Sequence, residues 1–304
     1  MAADQGMLDV ASLEQFLERV SSYTANLIYT RRDLQQIHHY TDLGGLSGIV
    51  VNQDLWLTNA RFSNDDEEMS HGYGVARQVI AQRLANRPKA AEKACLERLS
   101  AMLAASDAEA VYICCFCKRG DLLSQWRGYG ANGTGVSIGF DPAGFSFITG
   151  PDSPRFGLVR LWSVFYDDAK QRNIVNEAIL FGMQTGTSPD MRARRAADAI
   201  RFFIPTFKNP QFAEEEELRL IFTPDPARSP PAPDFRVARG MLVPYYRLQA
   251  LHGDRATRQP LPIRSVRVGP STSKLLNAQA ARMLLAKANM AAVPVDVSET
   301  PYRG

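Results

Sequence analysis

The stretch Lys208-Asn-Pro-Gln-Phe-Ala-Glu-Glu-Glu-Glu-Leu-Arg-Leu-Ile-Phe222 turns from an acidic run into an apolar strand. Leu218, Leu220 and Phe222 recur with period two, which predicts the inward face of a half-buried strand. The same alternation sets Glu215, Glu217 and Arg219 together on the opposite face. Two carboxylates and a guanidinium held on one side of a rigid strand make a suitable floor for a polar active-site cleft. The competing reading is a solvated acidic face that keeps a strand edge from aggregating.

Working outward, the order of elements is mixed. Residues 12–35 read as a helix, with Leu13, Phe16, Leu17 and Val20 on one stripe and Leu27 continuing it. Ile37-His-His-Tyr-Thr-Asp42 reads as a strand ending at a helix start that Asp42 can cap. Leu55–Asn59 reads as a second strand, and helical pattern then runs to about Ala105 with a break near Pro88. Val111–Lys118 is an apolar strand, followed by a helical turn at 121–128 and a strand at 133–141. In that strand Val136, Ile138 and Phe140 share one face, and Gly135, Ser137 and Gly139 share the other, where a ligand or a second backbone can approach closely. A strand at 158–166 and two helices within 168–205 precede the glutamate strand. Residues 224–234 read as a proline-rich exposed loop. The tail reads strand, Gly269-Pro270 turn, helix 273–289 and strand 293–297. This order predicts an α+β fold and not a regular βαβ winding. Residues 1–35 are expected to form a helical extension and residues 36–304 a single α+β domain of catalytic type.

Composition sets bounds. The 304 residues carry a net charge of +3, too mild for a dedicated duplex-DNA binder although an anionic partner is allowed. The opening Met-Ala-Ala-Asp-Gln-Gly lacks the basic-then-apolar run of a secretory leader, and no run approaches the roughly 18 apolar residues of a membrane span. Cys114, Cys115 and Cys117 lie too close together for disulfides among themselves, and with Cys95 they complete no zinc set, so no metal ligand is assigned. A reduced, cytoplasmic protein without a membrane partner is expected.

Three further clusters carry potential chemistry. His39, Tyr40 and Thr41 follow one another at a strand end, where they can line a pocket or serve structure alone. Trp126, Arg127 and Tyr129 place an aromatic pair beside a guanidinium, suited to stacking a planar ring and pairing a phosphate, or to core packing with a solvated arginine. Asn64, Asp65 and Glu68 suit a helix cap. There is no P-loop lysine motif, nucleophile elbow or His-Glu-x-x-His helix, and Gly133–Gly139 lacks the dinucleotide-fold spacing.

Together these pieces resemble the bacterial family catalogued as domain of unknown function 2971. The residues that carry the resemblance are His39-Tyr-Thr41, Ile49, Leu55-Trp-Leu-Thr58, Asn64-Asp65 with Glu68, Cys115-Phe-Cys117, Leu123–Tyr129, Gly135–Phe140, Phe207-Lys208 and Phe212 before Glu215-x-Glu217-x-Arg219, Val266-x-Val268-Gly-Pro270, and Ser298 with Pro301-Tyr302, over about residues 36–304. More distantly, His39-x-Thr41 followed by a short helix and a second strand is similar to the opening of the diphtheria-toxin-like ADP-ribosyltransferases. Glu215-x-Glu217 is similar to the Glu-x-Glu of their arginine-type members. Tyr40 departs from that pattern, which has glycine there, and Tyr129 or Phe62 would be the middle aromatic.

That second resemblance implies a core of two small mixed or antiparallel sheets around a cleft, with surrounding helices. It implies an enzyme that cleaves the nicotinamide–ribose bond of NAD and transfers ADP-ribose to a nucleic-acid or protein acceptor, as a toxin or phage-defence effector. Glu217 would be catalytic, Glu215 would orient the acceptor, and Arg219 would keep Glu217 ionised. His39 would donate to the adenosine ribose and Thr41 would place the nicotinamide ribose or amide, with Tyr40 and Asn64 beside them in the nucleotide-binding set. Tyr129 or Trp126 would stack the nicotinamide, with Arg127 or Arg61 near the pyrophosphate. Two alternatives stay open: a non-catalytic nucleotide- or nucleic-acid-binding module using Trp126, Arg127 and Tyr129, and a metal-dependent nucleic-acid hydrolase using Glu215 and Glu217.

Overall fold

The computed structural model describes residues 10–24, 34–62, 67–104, 111–149, 156–238, 240–251 and 258–301. The chain opens with helices α1 (Val10–Arg19) and α2 (Ser21–Thr24), then β1 (Ile37–Thr41), α3 (Leu43–Asn52) and β2 (Trp56–Asn59). Asp42 caps α3 as expected, its Oδ1 accepting from Gly45 N–H at 2.6 Å, and Gln53 in the left-handed region ends it. Helices α4 (Glu67–Ala85) and α5 (Ala90–Ala104) flank the predicted break at Pro88. There follow β3 (Tyr112–Cys117), α6 (Leu123–Gly128), β4 (Val136–Phe140), α7 (Ser146–Thr149) and β5 (Gly157–Ser163). Helices α8 (Asp168–Thr185) and α9 (Pro189–Phe203) lead to β6 (Glu217–Pro224). The chain ends with β7 (Asp234–Ala238), β8 (Met241–Arg247), α10 (Leu248–Leu251), β9 (Ile263–Val268), α11 (Lys274–Lys287) and β10 (Val295–Val297).

The fold is α+β, with one mixed sheet and helices around it. Its main path runs β10-β9-β4-β1-β3-β2-β8-β7, and β6 branches from β3 to carry β5. Only β9 and β10 are parallel among these pairs. The branch at β3 has a geometric consequence. A strand has two edges, and β6 takes all of one, from Tyr112↔Phe222 to Cys117↔Glu217. The other edge is divided: β2 holds Tyr112 and Ile113, and β1 holds Cys117. Between them, Cys114, Cys115 and Phe116 face no strand on that edge among the described residues.

Leu218, Leu220 and Phe222 do point into a core, with Tyr112, Cys114, Phe116, Ile37, Val136, Ile138 and Phe140, under α3 and α11. The expectation of a half-buried β6 fails on the other face. There α1, α4, α5, α8 and α9 build a second apolar core against Trp162 and Phe165, so β6 is buried from Glu217 to Phe222. Phe16 of α1 and Val20, between α1 and α2, belong to that second core. The single helix expected over 12–35 is instead α1 and α2 up to Thr24, and Leu27 lies outside the described residues.

The small-residue face of β4 receives protein. A Cβ at Gly139 would strike Ser265 Oγ and Gln36 Oε1, and one at Gly135 would strike the carbonyls of Thr41 and Gly130. The proline-rich loop is followed by the β7–β8 hairpin, which the sequence reading did not anticipate.

Asp121 ties the C-terminal segment to α6. Its carboxylate accepts from Trp126 Nε1 (2.7 Å), Thr300 Oγ1 (2.8 Å), Ser298 Oγ (2.5 Å) and Glu299 N–H (3.2 Å). Burial works against its charged form, but the hydrogen bonds from Ser298, Trp126 and Thr300 hold its carboxyl below the ordinary value. Asp121→Asn is expected to lower stability by about 1–3 kcal/mol in urea unfolding at neutral pH. A loss under about 0.5 kcal/mol would mean that this junction contributes no more than an ordinary surface position.

Candidate functional site

The site is built where the segment before β6 meets the C-terminal end of β3. Asn209 caps a 3-10 turn, Pro210–Glu215, by accepting from Gln211 N–H at 3.0 Å. Glu216 then adopts φ 43°, the left-handed region, and the strand begins only at Glu217. The alternation read through Glu215, Glu217 and Arg219 therefore holds for the last two residues, while Glu215 belongs to the turn. The three side chains still meet, because Lys208 gathers them. Its Nζ donates to Glu215 Oε2 at 2.6 Å and to Glu217 Oε2 at 2.9 Å.

Lys208 is itself fixed through its backbone. Its N–H donates to Phe165 O at 3.0 Å, and its carbonyl accepts from Gln171 Nε2 at 2.9 Å. Arg219 completes the network: Nε and Nη2 donate to the two oxygens of Glu217 at 2.7 and 3.0 Å, and Nη1 donates to Pro205 O at 2.8 Å. Glu217 is only 5% exposed, so neither the solvated acidic face nor an open polar floor describes it. Burial alone would raise its carboxyl. The Arg219 and Lys208 charges, with hydrogen bonds from Arg219 and the Cys115 thiol, instead bring it down to about 2. Two phenols adjoin this network. Burial and then the Glu215 charge push Tyr129 up, and burial and then the Glu217 charge push up Tyr166, whose hydroxyl accepts from Glu217 N–H at 3.0 Å.

His39 stands at the divided edge. Alternation along β1 turns Ile37, His39 and Thr41 toward the face of Val136, Ile138 and Phe140, and His38 and Tyr40 toward the face of Cys117 and Glu217. His39 and Glu217 therefore do not share a face of the sheet. Both meet Cys115. His39 Nδ1 donates to its carbonyl at 2.9 Å, and its thiol bonds Glu217 from the other side. A carbonyl only accepts, so the proton sits on Nδ1. Burial holds His39 neutral, despite the opposing hydrogen bond to Cys115, and Nε2 carries a lone pair. The ring's donor is thus spent on the sheet, and Nε2 can only accept.

The other candidates are dispersed. Tyr40 is buried: its hydroxyl donates to Arg119 O at 2.8 Å and accepts from Leu122 N–H at 3.0 Å, fastening the loop after β3. Trp126 is 0% exposed, edge-on to Tyr40 at 4.8 Å, so it is core and presents no stacking face. Tyr129 stays half-buried beside that cluster and next to the carboxylates. Arg127 and Arg61 are exposed, and Thr41 packs on Gly45. Asn64 lies outside the described residues. Lys208, which belongs to the family resemblance, has no site role in the sequence analysis, and Tyr166 and Arg236 have none either. Only Lys208, two residues before a proline turn and seven before a glutamate, had a local signal.

Residues 125–220 match a family model. That family is described as a protein of unknown function, DUF2971. The match runs from Gln125 in α6 to Leu220 in β6, and so takes in Tyr129, Lys208, Glu215, Glu217 and Arg219 but not β1 or β3. It is narrower than the span of about 36–304 expected from the sequence. No curated protein and no solved structure is matched. Among the described residues no helix is long and apolar enough to cross a membrane, and no three His, Cys, Asp or Glu side chains stand together as a metal set.

Arg219→Met leaves a buried carboxylate short of its main partner and is expected to cost about 3–5 kcal/mol in urea unfolding at pH 7. The sign with pH follows from the depressed carboxyl of Glu217. Its contribution is complete above the unfolded value near ~4.3 and is lost as pH falls through about 2. Between those values the wild type should lose stability more steeply than Arg219→Met. Parallel pH profiles for the two proteins would refute the assignment.

Proposed function

We propose that the chain is an ADP-ribosyltransferase-like enzyme that cleaves the nicotinamide–ribose bond of NAD and passes ADP-ribose to a nucleic-acid or protein acceptor. The observation that carries this reading is the convergence on Cys115. A first-strand histidine reaches its carbonyl and a late-strand glutamate reaches its thiol, at the point where β1 and β2 part along β3. Strands parting around a histidine are what a cleft between two small sheets requires. The largely antiparallel pairing supports this over a doubly wound sheet.

The chemistry follows from charge. Breaking the nicotinamide–ribose bond builds positive charge on the ribose, as glycoside cleavage does. Glu217, ionised down to about pH 2, is a fixed anion for that charge. In the resting network Lys208 and Arg219 compensate it. Lys208 already shares its ammonium between Glu215 and Glu217. Moving onto Glu215 alone opens one acceptor position on Glu217 Oε2 for a ribose hydroxyl, while Arg219 Nη2 keeps the other. Tyr129 supplies the ring beside the carboxylates for the nicotinamide, and neutral His39 accepts from the adenosine ribose through Nε2. Glu215, the more exposed carboxylate, stands where an acceptor arrives.

The test is nicotinamide release from NAD by purified protein. Glu217→Gln and Glu215→Gln are each compared with wild type after folding is checked by near-UV circular dichroism. Glu217→Gln should lower the rate by about 100-fold or more, the order seen when a preorganised charge partner is lost. Wild-type rates in folded Glu217→Gln would sink the mechanism. NAD binding without turnover that survives loss of both glutamates would replace it with a binding module.

A further inference from the structure

Beyond β2 the sheet continues into the β7–β8 hairpin, which carries a guanidinium whose donors are not all used. Arg236 of β7 shares a face with Tyr245 and Val243 of β8, and through them with Thr58 and Trp56 of β2. Its Nη2 donates to Thr58 Oγ1 at 2.9 Å, and its guanidinium carbon lies 5.5 Å from the centre of the Trp56 ring. Its Nε is buried and has no hydrogen-bond acceptor among the described residues. No carboxylate pairs with it there. Asp42 acts on it only through longer-range charge, and Asp42 Oδ1 is engaged by Gly45 N–H. The Arg236 charge in turn bears on His39 and on Cys114, acting to lower the pKa of both.

A half-buried arginine with an orphaned donor is costly unless something accepts from it. An anion satisfies both the charge and the donor, and a phosphate does so with the planar geometry that guanidinium favours. We propose that Arg236 is the phosphate-binding residue of the site and holds the pyrophosphate of the dinucleotide. This rests on the NAD reading above. The register agrees with it: Arg236 shares a face with Thr58, which pairs with Ile113, and the same face of β3 leads to Cys117, opposite Glu217, four residues or about 13 Å farther along the strand. Arg127 and Arg61, the residues expected near the pyrophosphate, lie exposed on other elements.

The test is calorimetric binding of ADP-ribose, inorganic pyrophosphate and adenosine to wild type, Arg236→Gln and Arg236→Lys, with thermal melts to confirm folding. Arg236→Gln should weaken ADP-ribose and pyrophosphate by at least about tenfold and leave adenosine within about twofold. Arg236→Lys, which keeps charge but loses Nε and the planar fork, should fall between. Equal ADP-ribose affinity in wild type and folded Arg236→Gln overturns the assignment, as does a wild type that binds neither ADP-ribose nor pyrophosphate. NAD turnover unaffected by Arg236→Gln would sink this inference alone. Arg236-dependent pyrophosphate binding by a protein that leaves NAD intact would support the phosphate site and sink the NAD reading.

Discussion

The rest of the structure depends on how the backbone of β3 is satisfied. An interior strand must pair both edges or find other partners for its amides and carbonyls, since an orphaned buried group costs as much as a lost hydrogen bond. Along one edge β6 supplies that pairing in full. Along the other, β1 and β2 cannot both run alongside, and each takes one end. An imidazole fills the interval: His39 donates to the carbonyl of Cys115 where a strand amide would otherwise stand. The same bond fixes the tautomer and orients the ring. A structural requirement of the sheet and a chemical property of the site are thus one interaction.

On the far side of β3 the problem is charge in place of hydrogen bonding. Lys208, Glu217 and Arg219 are among the most buried polar side chains of the molecule, and such groups are tolerated when paired in good geometry. Here two cations and two carboxylates give a formally neutral cluster. Arg219 contacts both oxygens of Glu217, and the Pro205 carbonyl accepts from its Nη1. Such a network fixes register as well as charge. Glu217 N–H is held by Tyr166 and its carbonyl accepts from Val164 N–H, so slipping β6 by one residue would break the ion pairs and the backbone ladder together.

Elements with strong period or strong punctuation were legible in the sequence. Asp42 as a cap, the break at Pro88, the cysteine strand and the paired helices before β6 all follow from local rules, and the structure has them. What local rules could not supply was the partner of each face. Period two correctly put Leu218, Leu220 and Phe222 together. It could not reveal that a helical layer covers the opposite face, which makes Glu217 and Arg219 buried. The alternation also stops at Glu216, whose left-handed backbone is unusual for a non-glycine residue and carries no sequence signal. Trp126 read equally well as a stacking platform or as core, and Asp121 five residues earlier decides for core by binding its indole. The β7–β8 hairpin was hidden because Phe235, Val237, Met241 and Leu242 are apolar yet exposed, so the usual inward-outward contrast is missing.

That hairpin has a kinetic consequence. Strand β7 pairs with β8 alone among the described strands, its apolar side chains lie largely outside either core, and it ends the main path of the sheet. Segments with few buried contacts open far more readily than the body they are attached to. The hairpin bearing Arg236 can therefore breathe while the Lys208–Glu217–Arg219 side stays locked. Residence of a bound anion would then be governed by the fraying of two strands and not by the strength of its contacts, with entry and exit through the same loosened margin.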